Sequence, residues 1–184
     1  LLQENYIQDS NIVLSDREPI FDAANILRHN NDILYLVSNS GNKLGARWLQ
    51  NILGKQYRVH IIDNLYSYAH IDSTISVLRD GLVVLNASRV NSTNCPKLFD
   101  GWEKIYVEDV VAQSFYQYPY ASKWIGLNML VLDPHTVVVD AAQTELIKTL
   151  ESYHFDVIPQ TLSHSRTLGG GFHCVTLDTW REHA

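Results

Sequence analysis

The chain has 184 residues, 46% hydrophobic and 18% charged, with 14 Lys and Arg against 20 Asp and Glu for a formal net charge of −6. That is enough apolar material for one core, and the acidic balance without any basic run argues against a phosphate-backbone partner. No apolar stretch approaches the ~20 residues that span a bilayer, and Leu1-Leu2-Gln3-Glu4-Asn5 lacks the basic-then-apolar form of a signal peptide, so a cytoplasmic protein with neither membrane nor nucleic acid as partner is expected.

In Glu18-Pro19-Ile20-Phe21-Asp22-Ala23-Ala24-Asn25, Asp22 precedes two alanines and reads on its own as the N-cap of a short helix. The apolar run Asp32 to Val37 predicts a strand. Leu44, Trp48, Leu49, Ile52 and Leu53 then share one helical face, Gly54 supplies a stop, and Tyr57 to Ile62 predicts a returning strand. Further on, His70 lies where a loop runs into a strand, and alternation would set His70, Asp72 and Thr74 on one face. Thr74 to Leu78 and Leu82 to Leu85 predict a hairpin across Arg79-Asp80-Gly81.

The same plan returns near the C-terminus. Met129 to Leu132 and Thr136 to Asp140 flank the turn Asp133-Pro134-His135, Leu146, Ile147 and Leu150 form a helical stripe, and Phe155 to Ile158 is the returning strand. Recurring strand-strand-helix-strand modules point to an α+β fold, an α/β propeller of ββαβ modules more than a doubly wound sheet. Ser38 to Asn42, Asn64 to Ser67, Ala87 to Lys97 and Gln113 to Tyr120 would be the connections, where site residues gather.

Neither of the two cysteines needs a disulfide, and their surroundings differ. Cys95 sits in the polar loop Asn91 to Pro96, whereas Cys174 follows Gly169-Gly170-Gly171-Phe172-His173, with Arg166 near in sequence. A nucleophilic thiol needs positive charge, backbone amides or an acid-base partner, and glycines allow close approach of a ligand. The residues alone leave a second reading open, in which three glycines turn into a buried strand Cys174 to Leu177 and the thiol is core. His70 with Asp72 is an acid-base candidate or a surface pair. No motif with metal-ligand spacing and no phosphate-binding loop occurs, so neither metal nor nucleotide cofactor is expected.

Glu18-Pro19-Ile20-Phe21-Asp22-Ala23-Ala24, Tyr57 to Ile62, His70-Ile71-Asp72, Ser122-Lys123-Trp124 and Leu168-Gly169-Gly170-Gly171-Phe172-His173-Cys174, in this order and spacing, resemble the glycine and inosamine amidinotransferases. The resemblance covers nearly all of the chain. It implies a five-bladed pentein-type propeller, incomplete here, with residues 1–184 a single domain forming the C-terminal part of the catalytic propeller. It also implies cofactor-free transfer of the amidino group of L-arginine to a primary amine, through an amidino-cysteine and with release of ornithine. Cys174 matches the nucleophile, His70 the general acid-base and Asp22 its carboxylate partner, while Asp72, Arg89 and Ser122 match positions that hold the substrate's amino-acid end.

Family members are about twice this long, so an apolar flank left open by missing modules is expected. The partners implied are L-arginine and an amine acceptor, and a homodimer is compatible with the sequence. Ala121 stands where the family usually has a first serine, and Ser67 and Ala69 replace its Asn and Met. These changes favour an acceptor bulkier than glycine. A hydrolase of the arginine deiminase or dimethylarginine hydrolase type, and a catalytically silent fragment, are the alternatives.

Overall fold

The computed structural model describes residues 17–65, 70–108, 123–162, 164 and 168–179. Within them the repeated plan is built three times. The first module is β1 (Ile26–His29), β2 (Asp32–Leu36), α1 (Lys43–Leu53) and β3 (Arg58–Ile62). The second is β4 (Ile75–Arg79), β5 (Leu82–Asn86) and β6 (Glu103–Val107), and the third β7 (Leu130–Asp133), β8 (Thr136–Asp140), α2 (Thr144–Ser152) and β9 (Asp156–Gln160). In each three-stranded sheet the first two strands pair antiparallel and the third runs parallel to the second.

Local chemistry explains these elements. A parallel third strand requires a crossover, which α1 and α2 supply. In the second module the crossover from 87 to 102 holds only a short 3-10 turn, Lys97–Phe99. Hairpin turns use Asn30 at φ 53° and Gly81 at φ 80°, in the left-handed region such turns require. Helix α1 starts where the Asn42 side chain accepts from the Gly45 N–H at 2.8 Å and stops at Gly54 with φ 68°.

Strands β2 and β5 are buried along their whole length because they are covered on both faces. Val84 joins Leu78, Ile105, Val107, Val137, Val139, Leu146 and Leu150 in the core between the second and third modules. Its neighbours Val83 and Leu85 point the other way, into a core with Leu34, Leu36, Ile62, Ile71, Ile75 and Phe99 between the first and second. Hairpin tips tie the seams. Asp80 reaches His29 Nε2 at 2.9 Å on one side, and Arg79 donates to the carbonyls of Tyr153 and Pro134 on the other.

Three expectations change. Residues 70–74 are not strand: Ile71–Ser73 is a 3-10 turn with His70 at its N-cap, so His70, Asp72 and Thr74 do not share a strand face. Strand β1 follows Asp22 directly, after a single 3-10 turn at Ala23–Asn25, where the sequence suggested only a helix start. The stripe on α1 exists, yet helix burial falls on Gly45 and Ala46, and Trp48 and Ile52 remain 41% and 65% exposed. Phe21 stacks on Trp48, and the face is otherwise left largely open.

Candidate functional site

Each module enters its first strand through a 3-10 turn: Ala23–Asn25 before β1, Ile71–Ser73 before β4 and Ile125–Leu127 before β7. The middle turn packs against the other two, so the inner ends of the three modules converge. The backbone bonds of these turns include Asn25 N–H to Asp22 O, Thr74 N–H to Ile71 O and Asn128 N–H to Ile125 O, at 3.0, 2.8 and 2.9 Å. Asn25, Thr74 and Asn128 are polar and buried; Thr74 and Asn128 are held by side-chain hydrogen bonds, and Asn25 donates to Ser40 while its Oδ1 has no partner.

Asp22 is placed by what holds the segment before it. Asn42 accepts from the Ile20 N–H and donates to the Glu18 carbonyl, and the Tyr35 hydroxyl donates to the Ile20 carbonyl at 2.9 Å. Gly45 lies so close that a Cβ there would meet the Ile20 carbonyl oxygen at 2.1 Å. Burial, helped by the charge of Asp22, pushes the Tyr35 phenol up to about 12, so it remains a donor.

With the segment fixed, Asp22 Oδ1 caps the turn by accepting from Ala24 N–H at 3.0 Å, and Oδ2 faces His70 Nε2 at 3.3 Å. Ser40 donates to the same Oδ2 at 3.2 Å while accepting from Asn25 Nδ2 at 2.9 Å. A chain of hydrogen bonds therefore runs from Asn25 through Ser40 to Asp22, which pairs with His70. Ser40 lies in a loop the sequence marks, but no pattern in that loop singles it out.

The third module brings the thiol. Gly169 has φ 92°, and Gly171 passes so close to Asn128 that a Cβ would sit 2.7 Å from its side chain. His173 N–H bonds the Asn128 carbonyl at 3.2 Å, and residues 172–175 form turns, not a strand, with Val175 and Leu177 exposed. The core-strand reading of Cys174 is thus overturned. Its Sγ lies 3.4 Å from Asp72 Oδ2 and 3.1 Å from Asn128 Nδ2, and its N–H donates to Asn128 Oδ1 at 2.9 Å.

Electrostatics follow from this packing. Burial, then the Asp72 charge, pushes the Cys174 thiol above its usual range. Burial also works against the charged form of Asp72, but His173, whose Nδ1 is 3.0 Å from Oδ2, together with Cys174 and His70, outweighs it and holds the carboxyl below its usual range. Arg89 Nη1 donates to Thr74 Oγ1 at 2.8 Å and to Ser73 Oγ at 3.0 Å, so it sits on the same turn as Asp72. The structure thus gathers Asp72, Cys174 and Arg89 around the middle turn and pairs Asp22 with His70 beside it. Ser122 and Arg166 lie outside the described residues. Cys95 is half-buried in the loop before Lys97–Phe99, and neither thiol is in a disulfide. Among the described residues no set of three His, Cys, Asp or Glu is placed to hold a metal, and no helix is long and apolar enough to cross a membrane.

Sheets of two antiparallel strands and a parallel third, repeated around converging inner turns, define a pentein-type α+β propeller, of which this chain forms part. Solved structures agree: a dimethylarginine dimethylaminohydrolase from Pseudomonas aeruginosa superposes with TM-score 0.62 at 15% identity over 85% of this chain and 55% of that one, a likeness of fold. Within that class the chain is similar to the inosamine-phosphate and glycine amidinotransferases over about half of their length. It is 53% identical over 169 residues to inosamine-phosphate amidinotransferase 1 of Streptomyces glaucescens, covering 91% of this chain and 49% of that protein. The structure of the Streptomyces griseus inosamine-phosphate amidinotransferase matches with TM-score 0.88 at 53% identity, over 93% of this chain and 49% of that one. An amidinotransferase of the saxitoxin pathway from Microseira wollei matches with TM-score 0.87 at 34% identity, over 95% and 52%. The chain spans about half the length of the curated relatives it matches. No family model matches it.

Proposed function

We propose that the protein carrying this chain transfers the amidino group of L-arginine to a primary amine. The observation that carries this is the half-buried Asp72 carboxylate 3.4 Å from the Cys174 sulfur, with an imidazole–carboxylate pair on the adjoining turns. A cation whose carbon must meet sulfur is best held by a carboxylate at that distance, and a planar guanidinium answers its geometry. We therefore place Asp72 at the guanidinium end of arginine, and keep Arg89 and Ser122 for the amino-acid end.

In this reading Cys174 Sγ attacks the guanidinium carbon, the C–N bond to the ornithine nitrogen breaks, and His70 protonates that amine as it leaves. The acceptor amine then loses a proton to His70 and attacks the amidino carbon, the C–S bond breaks, and the thiolate is restored. Asp22 orients the imidazole. Arginine binding also prepares the nucleophile: the raised thiol is held neutral in part by the Asp72 charge, and a guanidinium against Asp72 cancels that effect.

The acceptor we favour is an inosamine phosphate. Identity is 53% to the Streptomyces glaucescens inosamine-phosphate enzyme, against 33% to an L-arginine:L-lysine amidinotransferase of Pseudomonas savastanoi and 35% to a glycine amidinotransferase of Gallus gallus. Mass spectrometry of the intact protein with arginine and each of an inosamine phosphate, lysine and glycine tests it. Ornithine released in step with an amidinated inosamine phosphate, and lost in Cys174→Ala, is expected. Citrulline formed without acceptor would instead establish a hydrolase, and no product from arginine would leave a silent fragment.

A further inference from the structure

Asn128 is the third in the series of buried polar residues at the inner 3-10 turns, and of the three it alone bonds the sulfur. Its carboxamide orientation is fixed by elementary donor and acceptor chemistry. The Cys174 backbone N–H can only donate, so the oxygen it meets at 2.9 Å must be Oδ1. The amide nitrogen is then left facing Sγ at 3.1 Å, where it can only donate. A sulfur that receives an N–H bond is favoured as thiolate, the form that attacks.

The carboxamide is also immobilised from behind. Gly171 packs flat against it with no room for a methyl group, and the Asn128 carbonyl binds the His173 N–H. From this we infer that Asn128 is a catalytic residue, a fixed side-chain donor that, beside the Gly171 backbone, holds Cys174 in its attacking position and favours its thiolate. The inference rests on the reading of Cys174 as nucleophile but not on the identity of either substrate.

The groups facing the sulfur set what the test must separate. Asp72 from the turn before β4 opposes thiolate formation, His173 from the thiol's own loop partners Asp72, and His70 acts on Asp72 from the start of its turn. Asn128 is a neutral donor among these charges, and burial of the thiol is the largest opposing effect.

Iodoacetamide alkylation of Cys174 is followed against pH in the intact protein, without substrate, with Cys95→Ser so that one thiol reports. Asn128→Ala removes the donor without placing a new charge beside the sulfur. The alkylation midpoint should rise by about one pH unit or more, a roughly tenfold slower reaction near neutrality, with the melting temperature held. An unchanged profile in a folded variant overturns the inference. Should that variant not fold, the side-chain amide NMR signals of Asn128 in the unsubstituted protein decide. They must titrate with the thiol and lose that titration in Cys174→Ser, and signals that do not titrate overturn the inference. Because no turnover is measured, failure of the amidino-transfer proposal would leave this result standing, and the reverse.

Discussion

Asp22 satisfies two descriptions with its two oxygens. Oδ1 caps the turn that starts β1, as its position before Ala23-Ala24 suggests, and Oδ2 faces His70. A local rule identified the cap; the pairing with a residue 48 positions away needed the fold. Ser40 shows the same limit more sharply, because its hydroxyl reaches Asp22 only once Asn25 and the loop after β2 are packed together. As a positioning residue it holds Asp22 Oδ2 toward the imidazole. If the intact protein transfers an amidino group from arginine as proposed, Ser40→Ala should lower kcat by roughly tenfold with KM for arginine nearly unchanged, a fraction of the ~10²–10⁴ that a well-placed acid-base contributes. An equal fall in stability without any kcat effect would refute that role.

At the scale of elements, helix α2 shows how the modules are joined. Leu146 and Leu150 on its inner face sit in one core with Ile105 and Val107 of β6, so the helix of the third module closes against the sheet of the second. The stripe Leu146, Ile147 and Leu150 was legible from spacing alone, since a period of 3.6 is a local property. Strand β6 was not. Glu103-Lys104-Ile105-Tyr106-Val107 buries only Ile105 and Val107, and an edge strand with exposed Glu103 and Tyr106 carries too little apolar signal. Leu150→Ala should cost about 2–5 kcal/mol in urea unfolding, since it opens a cavity in a seam that two modules share. A loss below about 1 kcal/mol would mean that the seam collapses onto the gap or contributes little.

Across the whole molecule the repeat makes a prediction from its own geometry. If α2 lies on the sheet of the preceding module, α1 presents the equivalent face outward, and Trp48 and Ile52 are there, with Phe21 stacked on Trp48 at 5.2 Å. An open apolar face at this place in the repeat is one on which a further module could pack. Expressed alone, the 184 residues should bind a hydrophobic dye, and Trp48→Gln with Ile52→Lys should cut that fluorescence at least about twofold without loss of secondary structure. Undiminished dye binding in the double variant would place the exposed surface elsewhere.

By local rules the sequence itself determined what depends on near neighbours: β2, α1 and β3 of the first module but not β1, the strands and helix of the third, the hairpin at Arg79-Asp80-Gly81, the stop at Gly54, and the motifs that resemble the amidinotransferases. It misjudged residues 70–74, where His-Ile-Asp-Ser-Thr alternates like a strand but closes a 3-10 turn, because three such turns must meet at the inner ends of the sheets. It left Cys174 open between core and nucleophile, for a thiol's burial is set by distant groups. Only the tertiary structure put Asp72 and Asn128 at that sulfur, from turns 102 and 46 residues away in sequence. The physical reason is that hydrogen bonding and charge act over a few ångströms of space, and the chain separation that spans those ångströms is fixed by how the modules pack.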